Sequence, residues 1–197
     1  MTLYESLVGF ALSILVGLAL ATVMVYSPLL RGVMPSLVGL NATPKVALAP
    51  VLILWLGLGT NSKIGMAFLL SFFPVVVNAV RGLDEADPEL LDYFRLLRAG
   101  RLRTLLKVRQ PNSLPTMFDG FKIALPIAVV GAVIGEFVAS HEGIGYQIIV
   151  AYSTFSTGAV FAAVILIAVA STVLYGGLVL SERVLLRWRP RVGKPAA

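Results

Sequence analysis

Asp87-Pro-Glu-Leu-Leu-Asp-Tyr-Phe-Arg-Leu-Leu-Arg-Ala-Gly100 and the residues that follow, Arg101-Leu-Arg-Thr-Leu-Leu-Lys-Val-Arg-Gln-Pro-Asn-Ser-Leu-Pro115, form the one long polar island in an otherwise apolar chain. Leu90, Leu91, Phe94 and Leu97 recur on one face of a helix. Asp87 is placed to cap that helix and Pro88 to be its first residue, while Glu89 and Asp92 put negative charge in the first turn, where the helix dipole favours it. Gly100 is expected to break the helix. Leu102, Leu105, Leu106 and Val108 then carry a second stripe, with Pro111 and Pro115 expected to close it before the next apolar run. Arg95, Arg98, Arg101, Arg103, Lys107 and Arg109 surround both stripes with positive charge. This is an amphipathic helix-turn-helix at a membrane surface, offering apolar knobs to a partner's groove. The same spacing fits a basic interfacial loop lying on anionic lipid, and periodicity alone leaves both open.

Composition sets the class. Of 197 residues 58% are hydrophobic and 13% charged, about half the charge of a soluble domain. The expectation is an all-α polytopic bundle of about five transmembrane helices in a single permease-sized domain, residues 1–197. No cysteine is present, which excludes disulfides and thiol chemistry. The formal charge of +6 raises the question of nucleic acid. Yet the basic residues flank apolar runs, as membrane topology requires, so no nucleic-acid partner is expected.

The spans are expected at about residues 7–26, 42–58, 64–80, 117–138 and 158–180. Between the first two, a cytoplasmic connection is expected to contain a short half-buried helix near Leu37. Pro50 and Pro74 read as helix-interior prolines that free backbone carbonyls inside a bundle. Gly131 and Gly135 have the spacing that lets another helix approach closely. His141 to Ser156 reads as a turn-rich outer loop, and Glu182 to Lys194 as a basic tail. With the island in the cytoplasm, every lysine and arginine falls inside except Lys63. The N-terminus is then external and the C-terminus internal.

Catalytic chemistry finds little support: there is one histidine and no phosphate-binding G-x-x-x-x-G-K-[ST] run. No cofactor or metal site is expected, and His141 with Glu142 reads as a solvated loop. Polar residues inside spans need a reason to be there. Asn78 and Glu136 are accordingly candidates for a translocation path, whereas Asp119 and Lys122 read as a border pair.

The island resembles the cytoplasmic "EAA" loop of bacterial ABC-importer permeases, E-A-A, three residues, Gly, nine residues, I-x-L-P. Asp92 falls on the Glu, Tyr93 and Phe94 on the alanines, Arg98 on the Gly, Val108 on the Ile, and Gln110-Pro111 on the Leu-Pro. Tyr93, Phe94 and Arg98 are larger than the family's small residues. Ala47 to Gly59, Ser71 to Asn78, Asp119 to Leu125 and Gly135 to Ser140 with Gly143 to Tyr146 resemble the nitrate/sulfonate/taurine branch. The resemblance covers roughly Leu7 to Trp188. It implies a multi-pass subunit of the bacterial inner membrane, paired with a second permease subunit and two ABC ATPases and supplied by a periplasmic or lipid-anchored solute-binding protein. ATP hydrolysis would sit in a separate chain. Leu90, Leu91, Phe94 and Leu97 would supply the apolar contact to the ATPase, with Asp92, Arg95 and Arg98 at its charged rim. Many relatives in the branch carry one more span first, so either an absent N-terminal helix or a five-span subunit like the methionine-type importers is expected. The rivals are a channel without ATP coupling and a scaffold whose island binds membrane lipid.

Overall fold

The polar residues that open the first apolar run do not delay its helix. In the computed structural model, which describes residues 1–27, 30, 32, 39 and 43–188, α1 spans Thr2–Tyr26. A 3-10 turn, Lys45–Leu48, leads into α2, Ala49–Leu56. Then come α3 (Thr60–Asp84), α4 (Pro88–Leu96) and α5 (Arg101–Thr104). A π-helical stretch, Leu105–Arg109, joins α5 to α6 (Gln110–Ala139), and α7 (Ile144–Ser153) and α8 (Thr157–Leu185) complete the chain. The fold is an all-helical membrane bundle, and among the described residues four helices are long and apolar enough to cross a bilayer.

α3 is the central helix, and small residues let its neighbours reach it. A Cβ on Gly9 of α1 would lie 2.6 Å from the Ala67 Cβ, and one on Gly131 of α6 would lie 2.8 Å from the Ala67 Cα. Ala67 is thus clasped from both sides. Ser13 and Ser71 share a 2.6 Å hydrogen bond across α1 and α3. Phe10, Met24, Val75, Val76, Phe118 and Phe121 fill the core between the three helices. The Gly131/Gly135 spacing therefore serves a helix of the same chain: Gly135 lies against Lys63 as Gly131 does against Ala67. α8 stands apart, with Ala163 its one buried residue, and its inner end is tied by Lys122, which donates to Glu182 at 2.8 Å and to Asp119 at 3.1 Å.

Several expected boundaries move. The second span is represented by Lys45–Leu56, about 20 Å of helix. Pro50 sits in the first turn of α2 instead of its interior, where its missing N–H has no partner to lose. Pro111 and Pro115 do not stop the hairpin's second helix, which runs through the π stretch into α6. Pro111 lacks the N–H that would bond the Lys107 carbonyl, and the wider π turn absorbs that fault just before it. The expected loop after α6 contains α7. The expected helix near Leu37, the start of the second span at Ala42, and Arg31, Arg189, Arg191 and Lys194 lie outside the described residues.

Candidate functional site

At one end of the bundle the polar island forms a helical hairpin. Asp87 caps α4 by accepting from the Glu89 amide at 2.9 Å, and Pro88 is its first residue. The helix ends earlier than expected, not at Gly100 but at Arg98, whose φ of 52° is left-handed. The Ala99 amide donates to the Phe94 carbonyl at 3.0 Å and the Arg98 amide to Arg95 at 2.9 Å. That pair of bonds is a Schellman ending, which favours glycine at the left-handed position. This is the residue that falls on the Gly of the EAA pattern.

The hairpin is stapled to the C-terminal ends of α1 and α3. Arg109 Nη1 donates to the Leu83 carbonyl at 2.7 Å and lies 3.8 Å from Asp84. Asn112 donates to the Glu85 carbonyl at 3.0 Å, and the Tyr26 hydroxyl to the Arg101 carbonyl at 3.1 Å. Glu85 accepts from Arg81 at 2.8 Å and from Thr116 at 3.0 Å, and these two hold its carboxyl below the usual carboxylate range. Leu91, Arg95, Arg101, Arg109 and Tyr26 line a cavity of about 390 Å³ between the hairpin and α1.

No residue of α4 is buried. Leu91 and Phe94 are half-buried, whereas Leu90 is 47%, Leu97 60% and Leu96 83% exposed. The exposed apolar face is therefore Leu90, Tyr93, Leu96 and Leu97, rolled outward from the expected stripe. Asp92 and Arg95 pair on the surface at 2.8 Å.

At the opposite end the structure gathers polar residues that periodicity did not connect. Glu136 is 1% exposed. It accepts from the Thr2 hydroxyl at 2.6 Å and from the Gly145 amide at 2.6 Å, while the Ile144 amide donates to Thr2 at 2.9 Å. A Cβ on Gly143 or Gly145 would run into its carboxylate. Beside it Lys63 Nζ lies 3.1 Å from Glu5 Oε1, both nearly without solvent contact; neither Glu5 oxygen has an aligned hydrogen bond. Thus Lys63, the lysine expected outside, is a buried ion-pair partner tying α3 to α1, and Glu136 holds the start of α7. Thr2 and Glu5 were legible only as polar residues preceding an apolar run. Asn78, half-buried, donates to the Pro74 carbonyl at 2.9 Å and packs on Gly120.

Residues 13–186 match the family model of the binding-protein-dependent transport system inner membrane component. A probable ABC transporter permease protein of Haemophilus influenzae is 39% identical over 88% of this chain and 71% of its own length. The formylaminopyrimidine transport permease protein ThiX of Halalkalibacterium halodurans is 32% identical over 93% of this chain and 74% of its own. The putative aliphatic sulfonates transport permease protein SsuC of Bacillus subtilis is 34% identical over 95% and 68%. In fold, the chain is similar to one in the inward-facing MetNI methionine ABC transporter, with a TM-score of 0.73, 18% identity, and 92% and 93% of the two chains covered. This all-helical membrane chain with its stapled basic hairpin, matched over nearly its whole length, belongs to the family of binding-protein-dependent ABC transport permeases.

Proposed function

We infer that this chain is the transmembrane subunit of an ATP-driven importer, in which the α4 hairpin couples ATP hydrolysis in separate subunits to movement of the bundle. The observation that carries the inference is the hairpin's double character. Its α4 arm presents Leu90, Tyr93, Leu96 and Leu97 exposed, while its second arm is bonded to the ends of α1 and α3 through Arg101 and Arg109. A push on the first would reach the second through the Schellman turn at Arg98 and the seam at Leu91. Leu91 and Phe94 form the seam between the two sides, and Asp92, Arg95 and Arg98 form the charged rim that would orient an ATPase groove. The hairpin would face the cytoplasm, with the C-terminus on the same side, in the inner membrane of a bacterium.

The importer would contain two permease subunits, this chain and a second copy or relative, since α8 buries only Ala163 within the chain. A solute-binding protein would deliver to the opposite face. Relatives named for aliphatic sulfonates, taurine, nitrate and formylaminopyrimidine support a small anionic or heterocyclic solute. Asn78 would border the path where it bonds the Pro74 carbonyl inside α3, and Glu136 would act on it by anchoring α7. Leu90→Asp with Leu97→Asp, which burden only the exposed side, should abolish solute uptake and release ATPase activity from solute control while the chain still inserts. Leu91→Asp with Phe94→Asp should do the same. Uptake and coupling unchanged in both would remove the docking claim.

A further inference from the structure

We propose that the cavity between the hairpin and α1 is a binding site for the phosphate of an anionic phospholipid. The inference goes beyond the importer reading and does not depend on it, since it needs only that α1 crosses the membrane. The cavity measures about 390 Å³, and Tyr26, Leu91, Arg95, Arg101, Thr104 and Arg109 line it. Three arginines thus border one space, and no acidic residue borders it with them. Two of the three are partly engaged: Arg95 Nη1 pairs with Asp92, and Arg109 Nη1 donates to the Leu83 carbonyl with Asp84 3.8 Å away. The Arg101 guanidinium has no hydrogen bond or ion pair within the chain. A guanidinium carries five donors in a planar fork that matches phosphate oxygens two at a time. The donors left over on three such forks suit a phosphodiester, and basic pockets beside membrane helices hold lipid headgroups in this way.

Position favours a lipid over a free anion. α1 has 25 residues, about 37 Å of helix against a hydrocarbon core of about 30 Å. Tyr26, its last residue, therefore lies at the boundary with water, where tyrosine is favoured. An exposed apolar stripe on α1 leads to it: Leu12, Leu15, Val16, Ala19 and Val23 follow helical spacing, and Tyr26 is the next position on that face. The Tyr26 ring centre is 5.9 Å from the Arg109 guanidinium carbon, and its hydroxyl donates to the Arg101 carbonyl at 3.1 Å. An acyl chain laid along the stripe brings its phosphodiester to the arginines. Inorganic phosphate would gain nothing from the stripe.

The test uses the full chain purified in detergent, with lipid retention read by native mass spectrometry. It is titrated with phosphatidylglycerol and with phosphatidylcholine of the same acyl chains, each with and without inorganic phosphate. Phosphatidylglycerol should be retained in preference to phosphatidylcholine. Arg101→Gln should weaken its apparent affinity about fivefold, the change that corresponds to about 1 kcal/mol for one basic residue at an anionic lipid surface. Arg103→Gln removes the same charge two residues away, from a side chain that does not line the cavity, and should change the affinity little. Both variants should unfold at the parent's temperature without lipid, because neither guanidinium has a partner within the chain. Equal losses in the two variants would reduce the effect to general surface charge and overturn the site, as would equal retention of the two lipids. Displacement of phosphatidylglycerol by inorganic phosphate would mark a site for any small anion and overturn the lipid assignment. No ATPase or solute enters the measurement, so its failure would leave the coupling reading standing and the reverse also holds.

Discussion

Arg98 occupies a backbone region that costs an L-residue about 1–2 kcal/mol, with its φ of 52° set by the Schellman bonds at the end of α4. Arg98→Gly should therefore raise the thermal stability of the purified chain by about 0.5–1 kcal/mol, and Arg98→Val should lower it; equal midpoints would mean the turn relaxes freely. At the end opposite the hairpin, Lys63→Met should cost about 3–5 kcal/mol by leaving the Glu5 carboxyl buried without its partner, and adding Glu5→Met should recover most of it, since an apolar pair replaces a buried ion pair at little cost. If the double variant is as unstable as the single, the ion pair is not what Lys63 supplies. Glu85 gives the pH dependence. Its carboxyl is held low in the folded chain, by Arg81 first and Thr116 second, so its contribution is present above the ordinary carboxylate value and is lost as pH falls through the lowered one. Glu85→Gln should lower the unfolding midpoint at neutral pH and flatten its acid side, the two chains converging as pH falls; an unchanged acid slope would mean the bonds to Glu85 contribute nothing.

At the scale of elements, α3 decides the packing, because it has small residues where α1 and α6 also do. Gly131→Leu must push α6 off the Ala67 backbone and should cost at least about 1–3 kcal/mol. Gly176→Leu on α8, with nothing within 4 Å of the added Cβ, should be near neutral in the same thermal assay. The helix-turn-helix itself was readable from spacing: Asp87 caps it, Pro88 starts it, and the leucines fall on one side. Its end was not, because Gly100 is the obvious breaker while the chain reverses at Arg98, a residue no propensity scale would choose. Nor could periodicity tell Leu91 from Leu90. Both belong to one apolar arc, and only the position of Tyr26 and α5 turns Leu91 toward the cavity and leaves Leu90 outside.

For the whole molecule, the proposed orientation predicts that a cysteine at position 95, on the exposed surface of α4, is labelled by an impermeant reagent only when the cytoplasmic face is open to it. Labelling from the outside of intact cells would invert the topology. Apolar runs of bilayer length and a basic island between them were enough to determine an all-helical membrane chain, because burying backbone in lipid admits few other solutions and charge beside a span has a preferred side. What lay beyond reach of the linear sequence was depth and pairing. Lys45 reads as a border residue until the short α2 is packed against the middle of α3. Glu5, Lys63, Thr2 and Glu136 read as four separate polar residues until the bundle closes. Those relations join positions separated by dozens of residues, and they exist only because glycine and alanine faces allow three helices to meet at one height.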